Sequence, residues 1–168
     1  MNKRVWLMAD IILLLAAGVA VFVMLNAQTL PNGGSDAVTI IQNDQTVTFD
    51  IAYLKGLSKT TFTANLDTNG QDPVEKTFGG VPLTDVLKGM GFDLSGASQV
   101  VFKASDGYST VVTAEEATDS DNVYVVYERD GKPSGTMAQG GTGPIEIVIR
   151  KDAFSQRWCK YLREIDIE

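Results

Sequence analysis

Hydrophobic and polar positions fall into two regimes along this chain. In the first, residues 11–25 carry no charged or strongly polar side chain, and residues 5–9 extend the apolar run with only Asp10 between. About 20 such residues in an α-helix span the ~30 Å hydrocarbon layer of a bilayer. Lys3 and Arg4 precede the run and no further Lys or Arg appears until Lys55. That asymmetry puts the N-terminus inside and the remainder of the chain outside. The pattern predicts a single-pass membrane anchor in residues 1–27, lipid-facing over 5–25, and a domain on the outer side of the cell membrane. A cleaved signal peptide is the alternative, for which Leu25-Asn26-Ala27 is a poor cleavage site because Leu25 is large. Residues 28–36, with Pro31, Gly33, Gly34 and Ser35, read as a flexible linker.

The second regime, residues 37–168, is a single domain of short alternating segments. Residues 38–41 and 46–49 are β-rich runs around Gln42-Asn43-Asp44-Gln45, the pattern of a hairpin. Asp50 is placed to cap a short helix that ends at Gly56. Residues 60–66 form another β-rich run and 67–73 a polar loop. Leu83, Val86, Leu87 and Met90 recur at i, i+3, i+4 and i+7, which predicts a helix over 82–90 with Pro82 in its first turn. Residues 100–103 and 108–113 flank an Asp106-Gly107 turn. Thr113-Ala114-Glu115-Glu116 has the spacing of a capping box. Residues 123–129 and 145–149 are apolar strands. At the end of the chain Ile165 and Ile167 face one way, Glu164 and Asp166 the other. Many strands with few, short helices predict an α+β fold with a mixed or mostly antiparallel sheet.

Charge and composition narrow the chemistry. Of 14 basic and 21 acidic residues, two and one lie in the first 27, so the rest of the chain carries a net charge of −8. Phosphate backbones would be repelled, which argues against a nucleic-acid partner. There is no histidine and one cysteine, Cys159. Histidine-ligated haem, histidine-containing zinc sites and Ser-His-Asp or Cys-His catalysis are excluded.

Several landmarks now recur in a familiar order: Gly80-Val81-Pro82-Leu83-Thr84-Asp85-Val86-Leu87; Asp106-Gly107-Tyr108; the turn Gly140-Gly141-Thr142-Gly143-Pro144 entering Ile145-Glu146-Ile147-Val148-Ile149; and Arg157-Trp158-Cys159-Lys160-Tyr161-Leu162 near the end. Together they resemble the molybdopterin-binding domain of the sulfite oxidase family. The resemblance implies that family's fold over the second regime, behind one transmembrane helix. It also implies an oxidoreductase scaffold in which a cysteine thiolate, shortly before the Gly-x-Pro-Leu turn, binds molybdenum. Here that stretch holds Ala64 and Asn65 and no cysteine, and neither side chain imitates a soft charged ligand. The family's pocket histidine is absent as well. Glu146 stands where an arginine often follows Gly-x-Pro, and Arg150 where a proline often ends the strand.

Four groups of residues are candidates for binding chemistry. The resemblance implies that basic residues of the closing segment, here Arg157 and Lys160, approach a pterin phosphate. Gly140, Gly141 and Gly143 could add backbone N–H donors to such an anion site. Tyr108 is placed to line a pocket beside the Asp106-Gly107 turn, although a packed hairpin tyrosine satisfies the same pattern. Asp67-Thr68-Asn69-Gly70-Gln71-Asp72 has the oxygen density of a calcium loop but lacks the twelfth-position glutamate, where Phe78 stands; Asp119 and Asp121 are similarly incomplete. Cys159 is either an inert buried thiol or a thiol activated by Arg157 and Lys160.

The expectation is a non-catalytic extracytoplasmic domain that binds a small anionic ligand or a partner protein, a membrane protein included, with no predicted metal and no assigned cofactor. The alternative is an electron-transfer protein that holds molybdopterin or another anionic cofactor without a cysteine–metal bond.

Overall fold

The computed structural model describes residues 36–67 and 72–168. The expected anchor, most of the linker and the middle of the 67–73 loop lie outside the described residues. Among the described residues no helix is long and apolar enough to cross a membrane.

The hairpin at the start forms as the pattern predicts. Strands β1 (Val38–Gln42) and β2 (Gln45–Phe49) join through Asn43, which takes the left-handed conformation that asparagine tolerates. Asp50 accepts the Tyr53 N–H at 3.0 Å and so starts helix α1 (Ile51–Gly56). Strand β3 (Thr60–Leu66) then pairs residue for residue with β4 (Val74–Pro82). Pattern reading misses β4, because Gly79, Gly80 and Pro82 signal a break. The glycines serve close packing instead. The pairing of β4 with strand β7 (Val123–Arg129) shifts register between Gly79 and Gly80, and a Cβ on Gly80 would lie 2.5 Å from the Val125 carbonyl oxygen.

Helix α2 (Leu83–Gly89) buries Leu83, Val86 and Leu87, the apolar face of the predicted helix, and Pro82 stands at its N-cap. Strands β5 (Gln99–Ala104) and β6 (Ser109–Thr113) form the second hairpin. Thr113 and Glu116 close a reciprocal capping box on α3 (Ala114–Thr118). After β7 come a two-residue β8 (Lys132–Pro133), then β9 (Glu146–Ile149) and β10 (Leu162–Ile167).

These strands make two sheets. One is mixed, in the order β2-β1-β10-β5-β6, with the β1–β10 pair parallel. The other is antiparallel: β3-β4-β7, with β8 and β9 both paired to β7. Residues 158–162 connect them. Ile147 and Cys159 exchange backbone hydrogen bonds at 2.8 and 3.1 Å, and the Leu162 N–H donates to the Ile145 carbonyl at 3.1 Å. The chain thus flanks β9 before becoming the central strand of the other sheet. Buried side chains of both sheets and of α1, α2 and α3 form one apolar core. Its aromatic centre is Phe62, which stacks on Phe78 and Tyr124 at 5.7 and 4.0 Å, with Trp158 edge-on to Phe78 at 5.3 Å. Such pairs each add about 0.5–1.5 kcal/mol beyond area burial.

Candidate functional site

The closing basic-aromatic segment follows β9 through a 3-10 turn at Ser155–Arg157. Trp158 is buried, and its Nε1 donates to the Ile149 carbonyl at 3.1 Å. This fixes the directions of its neighbours. Arg157 is drawn between two carboxylates: its Nε donates to Asp152 at 3.0 Å, and one terminal nitrogen donates to Glu116 at 2.8 Å and also to Asp152. The other terminal nitrogen reaches Glu116 at 3.4 Å and the Val111 carbonyl at 3.5 Å. Every face of the guanidinium fork therefore has a protein partner, and two negative charges surround one positive charge. The polar cleft beside it, about 410 Å³, is also lined by Glu115, Asp119, Asn122 and Lys151. Carboxylates outnumber cations there, which suits an added anion poorly.

The glycine turn is committed in the same way. Gly140 donates to the Met137 carbonyl, Gly141 to Thr136, Thr142 to Ser134 and Gly143 to Gly135, all at 2.9–3.1 Å. None of these four N–H groups points to a ligand. The glycines instead let the turn pack against Tyr161. Gly143 has φ +98°, and a Cβ there would lie 2.6 Å from the Tyr161 Cα. Tyr161 donates its N–H to the Thr142 carbonyl and its hydroxyl to the Gly141 carbonyl, both at 2.8 Å. Tyr108 is 39% exposed and its hydroxyl donates to the Gln156 carbonyl at 2.5 Å. It ties the β5–β6 hairpin to the 3-10 turn.

The acidic pair of the 119–121 turn meets cations: Asp119 pairs with Lys151, and Asp121 with Arg150 and with the Tyr124 hydroxyl. Among the described residues no group of three or more His, Cys, Asp or Glu side chains is arranged to hold a metal. The calcium-like loop itself falls partly outside the described residues. Cys159 is fully buried. Burial, and then the charges of Asp106 and Glu146, push its thiol up to about 12. Activation by Arg157 and Lys160 would require the opposite shift.

Sequence reasoning passed over one cluster as a site. Glu146 is 0% exposed on β9, beside Val126 of β7. Arg129, at the end of β7, donates one terminal nitrogen to both Glu146 oxygens, at 2.9 and 3.2 Å. The Ser134 hydroxyl reaches the same carboxylate at 3.5 Å. Thr142 and Lys160 are close enough to favour its charged form, yet burial outweighs them and raises its pKa. Arg129 Nε is buried without a partner among the described residues. The available signal was a charged residue inside an apolar run, Ile-Glu-Ile-Val-Ile, two strands after Arg129 at the end of the Val-Tyr-Val-Val-Tyr run.

Comparison with known proteins bears on the scaffold. The family model described as the oxidoreductase molybdopterin binding domain matches residues 37–168. The chain belongs to this family. No curated protein matches the chain. Among solved structures, it is similar to the sulfane dehydrogenase SoxCD from Paracoccus pantotrophus, with 18% identity and a TM-score of 0.65 over 79% of this chain. That match spans 38% of the SoxCD chain, and at this identity it shows a shared fold.

The residues present do not fit a thiolate-ligated molybdopterin of the family's kind. The single thiol is sealed between β9 and β10, not on β3, where Ala64 is buried opposite Lys76. Arg157 is held by carboxylates, and the glycine N–H groups are used internally. The structure does bring the predicted residues into one region: Tyr161 joins the glycine turn to the closing segment, and Tyr108 joins that segment to the second hairpin. A separate apolar recess of about 230 Å³ under α2, lined by Leu87, Phe92 and Leu94, contains none of them.

Proposed function

We propose that this chain is a non-catalytic member of the oxidoreductase molybdopterin-binding family, held outside the cell membrane by its N-terminal apolar segment, and that it binds a partner protein through the retained scaffold. One observation carries the reading: the chain's one cysteine, Cys159, lies in the core as a neutral thiol, and the β3 position implied by the resemblance is Ala64. Loss of the thiolate removes the strongest protein bond to molybdenum that this scaffold would offer. The carboxylates around Arg157 and beside Lys160 further oppose an anionic cofactor.

A second reading has its own support. The family model matches the whole of residues 37–168, which supports a scaffold retained for holding a pterin by shape. On that reading the protein carries electrons with a cofactor held non-covalently.

Expression of the full chain in a host that makes molybdopterin separates the two. The first reading expects a colourless, molybdenum-free protein, whose melting temperature ignores added pterin. Molybdenum or pterin co-purifying in stoichiometric amount, by metal analysis and mass spectrometry, establishes the second and ends the first.

A further inference from the structure

Both sheets end in edge strands, and the backbone of an open edge can pair with a further strand. Most edges of this domain are covered or guarded. β8 carries Pro133, and β9 is flanked by the closing segment through Cys159. On β6 the Thr113 N–H is taken by the Glu116 carboxylate at 2.8 Å, and the Val111 carbonyl by Arg157 at 3.5 Å. β2 and β6 are also flanked by like charges. Pairing β2 antiparallel with another β2 about Val47 would set Asp44 against Asp50, and pairing β6 with itself about Val111 would set Asp106 against Glu116.

Strand β3 has none of these guards. Among the described residues it pairs only with β4 and lies at the end of its sheet. Residues 60–66 contain no charge, no proline and no bulge. Two contacts fix the direction of its free backbone groups. Thr77 of β4, opposite Thr63, turns its N–H and its carbonyl to Asp130, away from β3. Asp67 turns its own N–H and carbonyl to Ser155. Antiparallel partners alternate between bonded and non-bonded pairs, so Thr61, Thr63 and Asn65 present their N–H and C=O groups to the open edge. All three residues are exposed.

The charges flanking β3 are opposite, Lys59 before it and Asp67 after it. A two-fold axis at Thr63 sets Thr63 against Thr63, Thr61 against Asn65 and Lys59 against Asp67, the last two pairs twice. The central pairs are all of the bonded kind and exchange about six backbone hydrogen bonds. Lys59 holds Glu128 at 2.8 Å, and its ammonium keeps further donors. The net negative charge of each domain opposes association at long range, but physiological salt screens it beyond about 8 Å and leaves the contact pairs. We infer that β3 is a dimerisation edge, through which two copies of this chain join antiparallel, centred on Thr63, in one continuous sheet. The inference goes beyond the proposed function and does not rest on it, because the edge is open whether or not a pterin binds.

The full chain is studied in detergent micelles, where Cys159 is buried and out of reach of thiol reagents. A short bifunctional thiol reagent should link Thr63→Cys to its own copy. It should link Thr61→Cys to co-expressed Asn65→Cys at least about tenfold faster than either variant to itself, because like positions then lie four residues apart, about 13 Å along the strands. Sedimentation over a dilution series reads the charges. Lys59→Asp and Asp67→Lys should each weaken dimerisation about tenfold, although they move the net charge in opposite directions, and the double swap Lys59→Asp/Asp67→Lys should restore it. A monomer at every concentration, an association that leaves Thr63→Cys unlinked, self-linking of Thr61→Cys as fast as its linking to Asn65→Cys, or a double swap no better than its parents would each overturn the edge dimer. The linking and charge-swap arms share no substituted residue, so a variant that misfolds in one leaves the other to decide. None of these outcomes affects the molybdenum and pterin measurement, so the two readings fail separately.

Discussion

At the scale of single residues, side chains that look like ligand donors in the sequence are partners of other side chains in the fold. Arg157 holds α3 to the loop after β9 through Glu116 and Asp152. Because its side chain is 40% exposed, solvent screens the network. Arg157→Met should therefore cost only about 1 kcal/mol in urea unfolding, and a loss above about 3 kcal/mol would mean that the pair behaves as fully buried. Gly143 is less forgiving. Its positive φ and its contact with Tyr161 both exclude a side chain, so Gly143→Ala should destabilise by more than the ~1 kcal/mol by which an unstrained Gly→Ala replacement stabilises. Cys159 should react with a thiol reagent only as fast as the protein unfolds, which hydrogen exchange measured in parallel would check. Labelling of the native protein within minutes would contradict its burial.

At the scale of elements, local rules held where a short segment could satisfy its own backbone. The Asp50 cap, the Thr113–Glu116 box and the 43–44 turn each close within a few residues, so each is visible without tertiary knowledge. Removing the hydroxyl in Thr113→Ala should cost about 1 kcal/mol, read as a shift in the urea midpoint. Strand β4 escaped because its decisive partner is remote. Gly80 looks like a breaker until Val125 of β7 lies against it. Strand β8 escaped because two residues carry no periodicity.

At the scale of the whole molecule, β10 is the central strand of the mixed sheet and also the end of the chain. Deleting residues 162–168 removes the partner of both β1 and β5, so the truncated chain should show no cooperative melting transition by circular dichroism. Acid stability follows from the signs of the shifts. Arg157 lowers the Glu116 pKa, Lys151 that of Asp119 and Lys76 that of Asp130. Their contributions are present above the ordinary carboxylate range, roughly pH 4, and disappear as pH falls through the lowered values. Glu146 has the opposite sign: burial raises its pKa, so its contribution is greatest below that range and is lost as pH rises through the raised value. Urea midpoints should fall between pH 7 and pH 3, and more steeply in Glu146→Gln, which lacks the opposing group. An unchanged slope would show that Glu146 titrates normally.

The sequence by itself determined the alternation that makes this an α+β domain, the caps and turns that punctuate it, and the order of landmarks that marks its family. Each depends on residues near one another in the chain or on side-chain type alone. Only the tertiary structure decided what the charged and glycine-rich segments do. Whether Arg157 meets a phosphate or two carboxylates, whether the 140–143 amides face a ligand or Ser134 and Gly135, and whether Glu146 is solvated or buried against Arg129 are questions of which distant groups arrive alongside. Electrostatic and hydrogen-bonding energies fall off over a few ångströms, and sequence separation carries no record of those distances.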